Sequence, residues 1–396
     1  MTRLLLEGAL LIDGTGAEPV RGQAVAVEAD RIAGVGPRAA APDARRLDLG
    51  GLTLLPGLVN AHVHLCLTGE ADPVRLMASE PVALTAIRAT LHARASLEAG
   101  VTTVRDLGGR EYAELAVRAA IGQGLVSGAR VLAAGKVICM TGGHGAWIGR
   151  EADGPAEVRK AVREQLKAGA DLVKVIATGG VMTPGVEPGA AQLGLDELRA
   201  AVEEARKGGR RVAAHAQGSE GIADAVEAGV ASIEHGIFLT EEIVARMRAA
   251  GTALVPTLVA PERILSAGPE AGVPAWMVAK AQAVVAAHVR SFQLAYRAGV
   301  PIAAGSDAGT PLNPHGSLLP ELRLMARHGM APLECLRAAT SSAASLLGWG
   351  DRLGRLAPGY VADLVAVDGN PAEDLEALDR VKLVVAGGRV VVDRLR

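Results

Sequence analysis

An α/β architecture is what this sequence predicts: a (β/α)8 TIM barrel with a small β-sandwich domain built from both chain ends. Three observations predict it. The middle of the chain alternates short apolar runs with amphipathic helical stretches, eight times in about 250 residues. Both ends instead carry Val/Leu/Ile-rich runs punctuated by Gly and Asp. Five central runs each close on metal-ligand residue types, which places those residues at one end of a parallel sheet. At 396 residues the chain can bury one large core and a satellite.

The elements follow in order. RLLLEGALLIDGTG and GQAVAVEADRIAGVG read as strands, as do VADLVAVDGNP and VKLVVAGGRVVVD near the other end, where Gly387-Gly388 signals a two-residue hairpin turn. The expected division is therefore 1–56 with 358–396 as the β-sandwich domain, and 57–357 as the barrel. Barrel strands are expected at 58–64, 101–107, 129–138, 171–177, 211–215, 231–235, 252–257 and 301–306. Helices are expected at Ala156–Ala168, Asp196–Lys207, Ser219–Ala228, Thr240–Ala250 and Ala275–Ala298. Pro155 suits a first turn, and Thr240 followed by Glu241 and Glu242 is a helix start. Gly100, Gly169, Gly229, Gly251 and Gly299 stand where C-caps belong. After the eighth strand, Leu318–His328 and Pro332–Leu347 read as helices that cover the barrel.

Composition narrows the function. A net charge of −2 argues against nucleic acid or an anionic membrane as partner. Only eight residues are Phe, Trp or Tyr, too few for base-stacking platforms. Three cysteines, Cys66, Cys139 and Cys335, form no disulfide framework and suit a reducing cytoplasm. The N-terminal apolar run is short and broken by Glu7, which does not read as a signal peptide, and no apolar stretch reaches membrane-spanning length. A small-molecule substrate is the expected partner, with self-association left open.

His62 and His64 lie two apart in a strand, so their side chains share a face and can chelate one ion; ordinary polar packing is the alternative. Lys174 sits inside Leu172-Val173-Lys174-Val175-Ile176, and a buried ammonium must be paired, deprotonated or modified, unless it snorkels to the rim. His215 and His235 end consecutive strands at equivalent positions. Asp307 ends the eighth, where it either caps the next segment or binds metal and accepts a proton. Cys66, two residues past His64, reads as a small buried hydrophobe. His144 stands in a glycine-rich loop after the third strand, with Trp147 beside it. His315 belongs to the loop after the eighth strand. Arg105 either meets a substrate carboxylate or orients the barrel layer. His92, His288 and His328 fall in helices and read as packing.

VRDLGG (104–109), TGGHG (141–145), KVIATGGVMTP (174–184), AHAQG (214–218), SIEHG (232–236), GSDAGTP (305–311), NPHG (313–316) and the tail GRLAPGYVADLVAVDGNP (354–371) together resemble the amidohydrolase superfamily of metal-dependent hydrolases. Within it, they resemble the imidazolonepropionase-related dipeptidases and prolidases. The resemblance spans nearly the whole chain. It implies two divalent metal ions, with zinc expected. His62, His64 and Asp307 would hold one, His215 and His235 the second, and a carbamylated Lys174 would bridge them. It further implies that a metal-bridging hydroxide attacks an amide carbonyl polarised by a metal and His144, while Asp307 passes the proton to the leaving nitrogen. Trp147, Arg105 and His315 are the expected substrate contacts.

The implied activity is hydrolysis of a dipeptide or N-acyl amino acid, with cyclic or xenobiotic amides as the alternative. A nucleobase-type deaminase of this scaffold would carry Glu three residues after the fifth-strand His and lack the fourth-strand Lys. Here that position is Gly218 and Lys174 is present. The same Lys disfavours a one-metal imidazolonepropionase. A non-catalytic assembly subunit would have lost ligands, and all six are present. Metal counts of two, one and none separate these readings.

Overall fold

The computed structural model describes residues 3–37, 39 and 43–395. The chain divides into two compact units. The first takes Met1–Asn60, Arg94–Thr103 and Gly316–Arg396; the second takes Ala61–Ala93 and Val104–His315.

In the first unit, β1 (Arg3–Glu7), β3 (Ala24–Glu28), β4 (Arg31–Gly36) and β5 (Arg45–Asp48) form one sheet in the order β4-β3-β1-β5. A second sheet runs β18-β17-β16-β6-β2, from β2 (Leu10–Leu11), β6 (Leu52–Pro56), β16 (Leu364–Asp368), β17 (Val381–Ala386) and β18 (Arg389–Asp393). Alternate residues of the two sheets, among them Leu4, Leu6, Val25, Val27, Leu54, Leu364, Leu383 and Val385, share one buried cluster. Gly387 and Gly388 take φ of 53° and 73° between β17 and β18, the positive values a tight two-residue hairpin requires.

The second unit alternates strand and helix. A six-stranded parallel sheet runs β11-β10-β12-β13-β14-β15, from β10 (Val137–Cys139), β11 (Gly149–Glu151), β12 (Val173–Ile176), β13 (Val212–Ala216), β14 (Ser232–His235) and β15 (Ala253–Val255). A three-stranded sheet runs β7-β8-β9, from β7 (Leu58–Val63), β8 (Val101–Asp106) and β9 (Arg130–Ala133), and the division between the units falls within β7 and β8. The central strands β12 to β14 are buried throughout, as strands covered on both faces must be.

The expected strand at 129–138 is interrupted between β9 and β10, and the one at 301–306 is not a regular strand. Pro301 has no amide hydrogen to give, Asp307 turns to φ 56°, and the pairing is limited to isolated bridges, Leu254 with Ile302 and Val63 with Ala308. Residues 301–308 still hydrogen-bond on both flanks. Leu254 N donates to Pro301 O at 2.8 Å, and Ala61 N donates to Ala304 O at 2.9 Å.

The helices end where their caps say. Gly154–Ala168 starts with Pro155 in its first turn, buries Val158, Ala161, Val162 and Gln165 at 3–4 residue spacing, and stops at Gly169, φ 93°. Thr240 accepts a hydrogen bond from Ile243 N and opens Glu241–Ala250, which stops at Gly251. The expected helix Pro332–Leu347 is two helices, Pro332–Ala338 and Ser341–Leu346, broken at Thr340. No helix among the described residues is long and apolar enough to cross a membrane.

Candidate metal centre

Parallel pairing sets the register of the site. Lys174 lies opposite Ala213, Ile176 opposite His215, and Ala216 opposite His235. His215 and His235 thus emerge at the C-terminal ends of neighbouring strands. Lys174 is second in its four-residue strand rather than at the end. Its four-carbon stem makes up the difference, and its side chain lines the same cavity as the histidines.

Two side chains enter through strained backbone. His235 and Asp307 take φ of 73° and 56°, left-handed values that cost non-glycine residues on the order of 1–3 kcal/mol each. Both residues stand at the C-terminal ends of their segments, where the chain leaves the sheet.

The imidazoles form a chain. Ring centroids are 5.3 Å apart for His62 and His64, 5.2 Å for His62 and His235, 4.6 Å for His215 and His235, and 4.4 Å for His144 and His215. Asp307 Oδ1 lies 3.3 Å from His62 Nε2 and 3.5 Å from His64 Nε2. Ligand atoms of His62, His235 and Asp307 all fall within 4.8 Å of one another. His64, His215, Lys174, His144 and Trp147 line the same cavity.

Burial keeps these imidazoles neutral. It lowers His62, His215 and His235 well below 6.5, His64 to about 4 and His144 to about 3. A neutral imidazole offers a lone pair. Burial likewise lowers the Lys174 ammonium and raises the Asp307 carboxyl. Lys174 Nζ and Asp307 Oδ1 are buried and have no hydrogen-bond partner among the described residues. Orphaned polar atoms among four neutral imidazoles are a donor set that a borderline divalent cation fits.

A second layer holds the first. His62 Nδ1 donates to Glu234 Oε2 at 2.9 Å, which turns Nε2 toward Asp307. Glu234 Oε1 accepts from Arg105 Nη2 at 2.8 Å and from Ser232 Oγ at 2.5 Å. His64 Nδ1 donates to Gly108 O, and His235 Nδ1 lies 2.7 Å from Thr257 Oγ1. His144 Nδ1 lies 2.7 Å from Thr183 Oγ1, and a Cβ at Gly180 would stand 2.6 Å from His144 Nε2, so only glycine leaves that ring its place.

Two expected substrate contacts are placed elsewhere. Arg105 is buried, with Nε on Ala61 O, Nη1 on Ser232 Oγ and Nη2 on Glu234; it orients the strands and does not line the cavity. His315 stacks on His92 at 4.4 Å and donates Nε2 to Leu67 O, also off the cavity. Conversely His288, expected to pack, lines the cavity while its Nε2 donates to Pro256 O. Glu234 escaped the sequence reading, although a carboxylate inside an apolar strand poses the same burial problem as Lys174. Cys66 is buried, with Sγ 3.9 Å from Glu114 Oε2. Gly218 has no room for a side chain, since a Cβ there would stand 1.9 Å from Gly189 O. The glutamate of a deaminase cannot occupy that position.

The model of the amidohydrolase family matches residues 53–391. Ochratoxinase of Aspergillus niger is 34% identical, over 96% of this chain and 84% of its own. Imidazolonepropionase of Paracoccus denitrificans is 30% identical, over 88% and 89%. The crystal structure of a Xaa-Pro dipeptidase with methionine in its active site superposes with a TM-score of 0.91 at 34% identity, covering 99% of this chain and 100% of that one. The chain belongs to the amidohydrolase family.

Proposed function

We propose that this chain is a binuclear metal-dependent hydrolase that cleaves an amide or peptide bond in a small molecule. Hydrolysis of amide or peptide C–N bonds follows from its family and its relatives. The finer reading assigns His62, His64 and Asp307 to one ion, His215 and His235 to a second, and a carbamylated Lys174 to both, with zinc as the expected metal. One observation carries it: Lys174 Nζ and Asp307 Oδ1 lie buried among four imidazoles with no hydrogen-bond partner among the described residues. Carbamylation turns a costly cation into an anion with two ligand oxygens and so removes the burial problem. The ions would supply Lewis acidity and make water a nucleophile at neutral pH.

The chain's own groups do the rest. The Asp307 carboxylate takes the proton released from water and hands it to the leaving nitrogen. His144 offers a ring N–H to the developing carbonyl oxygen, its other nitrogen held at Thr183. Glu234 fixes the tautomer of His62. Residues 301–308, bonded to both flanking strands, support a closed (β/α)8 barrel over 57–357, with 1–56 and 358–396 as the β-sandwich domain. A dipeptide or N-acyl amino acid is the substrate class of the finer reading, and the cytoplasm its compartment.

Metal analysis of the purified protein, paired with a screen of dipeptides and N-acyl amides, tests the proposal. Two ions per chain with amide hydrolysis abolished by chelation are expected. One ion or none, or deamination without amide cleavage, would overturn it.

A further inference from the structure

We infer that the cavity selects uncharged, apolar amides, and that neither a carboxylate nor a cationic side chain of the substrate finds a charged partner in the lining beyond the candidate centre. The inference rests on the amide-hydrolase reading, and within it favours the neutral cyclic or xenobiotic amides over the dipeptide or N-acyl amino acid class. Val137, Trp147 and Ile148 belong to one apolar cluster and Val181, Ile237 and Ile264 to another, and both clusters face the cavity. Among the described residues, the lining beyond the candidate centre holds no Lys, Arg, Asp or Glu; Lys174 and Asp307 are its only such residues. Lys280 does not line it. Its ammonium donates to the backbone carbonyls of Thr183, at 2.7 Å, and Val186. Away from the candidate centre, a charge carried into this cavity would lose its water and meet no charged side chain of the lining.

Two further atoms say what polarity is wanted. Trp147 Nε1 is a donor and Gln217 Oε1 an acceptor; both side chains line the cavity, and neither atom has a partner among the described residues. A carboxylate would satisfy the indole but repel the Gln217 oxygen. An ammonium would do the reverse. A neutral group with one acceptor and one donor, as in an amide, suits both.

The test uses the metal-loaded protein and three benzamides: N-benzoyl-2-phenylethylamine, N-benzoyl-phenylalanine and N-benzoyl-arginine. The first lacks only the carboxylate of the second. Its kcat/KM is expected to exceed that of either acid by about tenfold or more, since the phenylalanine derivative brings an unpaired carboxylate and the arginine derivative a carboxylate and a guanidinium. Calorimetry with the matching benzenesulfonamides, which carry no amide to cleave, reads binding apart from turnover and should rank them the same way. An acid that is cleaved or bound tenfold better than the neutral member overturns the inference, as does absence of binding by the neutral sulfonamide. Neutral binding without cleavage of any benzamide supports the cavity assignment while counting against the hydrolase reading.

Discussion

At the residue scale, Lys174 is where burial and chemistry meet. The residue is 2% exposed, and its amine has no hydrogen-bond partner among the described residues. Lys174→Ala is expected to lose one of two ions and nearly all turnover, while circular dichroism shows the fold retained. A short carboxylate such as formate should restore part of the activity by standing in for the bridging anion. Full activity in the variant would remove Lys174 from the centre. Glu234 allows a subtler test. Its two oxygens accept from His62 on one side and from Arg105 and Ser232 on the other. In Glu234→Gln one of these becomes an NH2. With the remaining oxygen held by Arg105, the amide faces His62 Nδ1 as a donor and moves the imidazole proton to Nε2. Metal affinity measured by chelator competition should then fall about 10- to 100-fold. An unchanged affinity would show that the Glu234 contact only packs.

At the element scale, the 179–191 segment between β12 and the helix Leu195–Lys207 is the part most exposed to test. Thr178 bridges Ala191, Gly179 N donates to Ala190 O, and Val181 and Met182 line the cavity. The segment crosses residue 218 at its closest approach, so Gly218→Ala must push it outward. Faster proteolysis within 179–191 and a loss of kcat/KM are expected, without loss of bound metal; resistance to protease equal to that of the parent would contradict this. The same scale shows what a sequence reader can see. Strands such as Leu58–Val63 and Ser232–His235 were legible to within a residue or so because they are continuous apolar runs with sharp glycine ends. The His, Lys and Asp candidates were legible because polar groups in such runs are costly. The irregular eighth segment was not, since its shape comes from a proline at one end and a left-handed aspartate at the other. Arg105 and His288 were not, because what an arginine or a helical histidine meets depends on neighbours 44 and 32 residues away in sequence. Glu234 was legible by the Lys174 argument and was passed over.

For the molecule as a whole, the buried histidines predict how stability depends on pH and metal. Burial lowers His62, His64, His92, His144, His215, His235, His315 and His328 below the ordinary value of 6.5, with His64 near 4 and both His144 and His315 near 3. Below 6.5 the unfolded chain therefore binds protons that the folded chain refuses, and stability is lost as pH falls toward 4. Asp106, Glu114 and Asp307 are raised by burial and act with the opposite sign: between the ordinary carboxylate range and their raised values the folded chain binds protons that the unfolded chain has released, so their contribution to stability rises as pH falls. The imidazoles outnumber them, so the metal-free protein should show urea midpoints that fall from pH 7 to pH 4. Bound ions hold the nitrogen lone pairs against protons and stabilise the state that binds them. The loaded protein should thus have a higher midpoint at pH 7, and that margin should close on acidification as protons displace metal. Chelator titration of the unfolding midpoint at pH 7 and at pH 5 measures both. A metal-free midpoint that rises on acidification would show that the buried carboxyls outweigh the imidazoles. Equal midpoints with and without metal at pH 7 would show that no ion is held by the folded cluster.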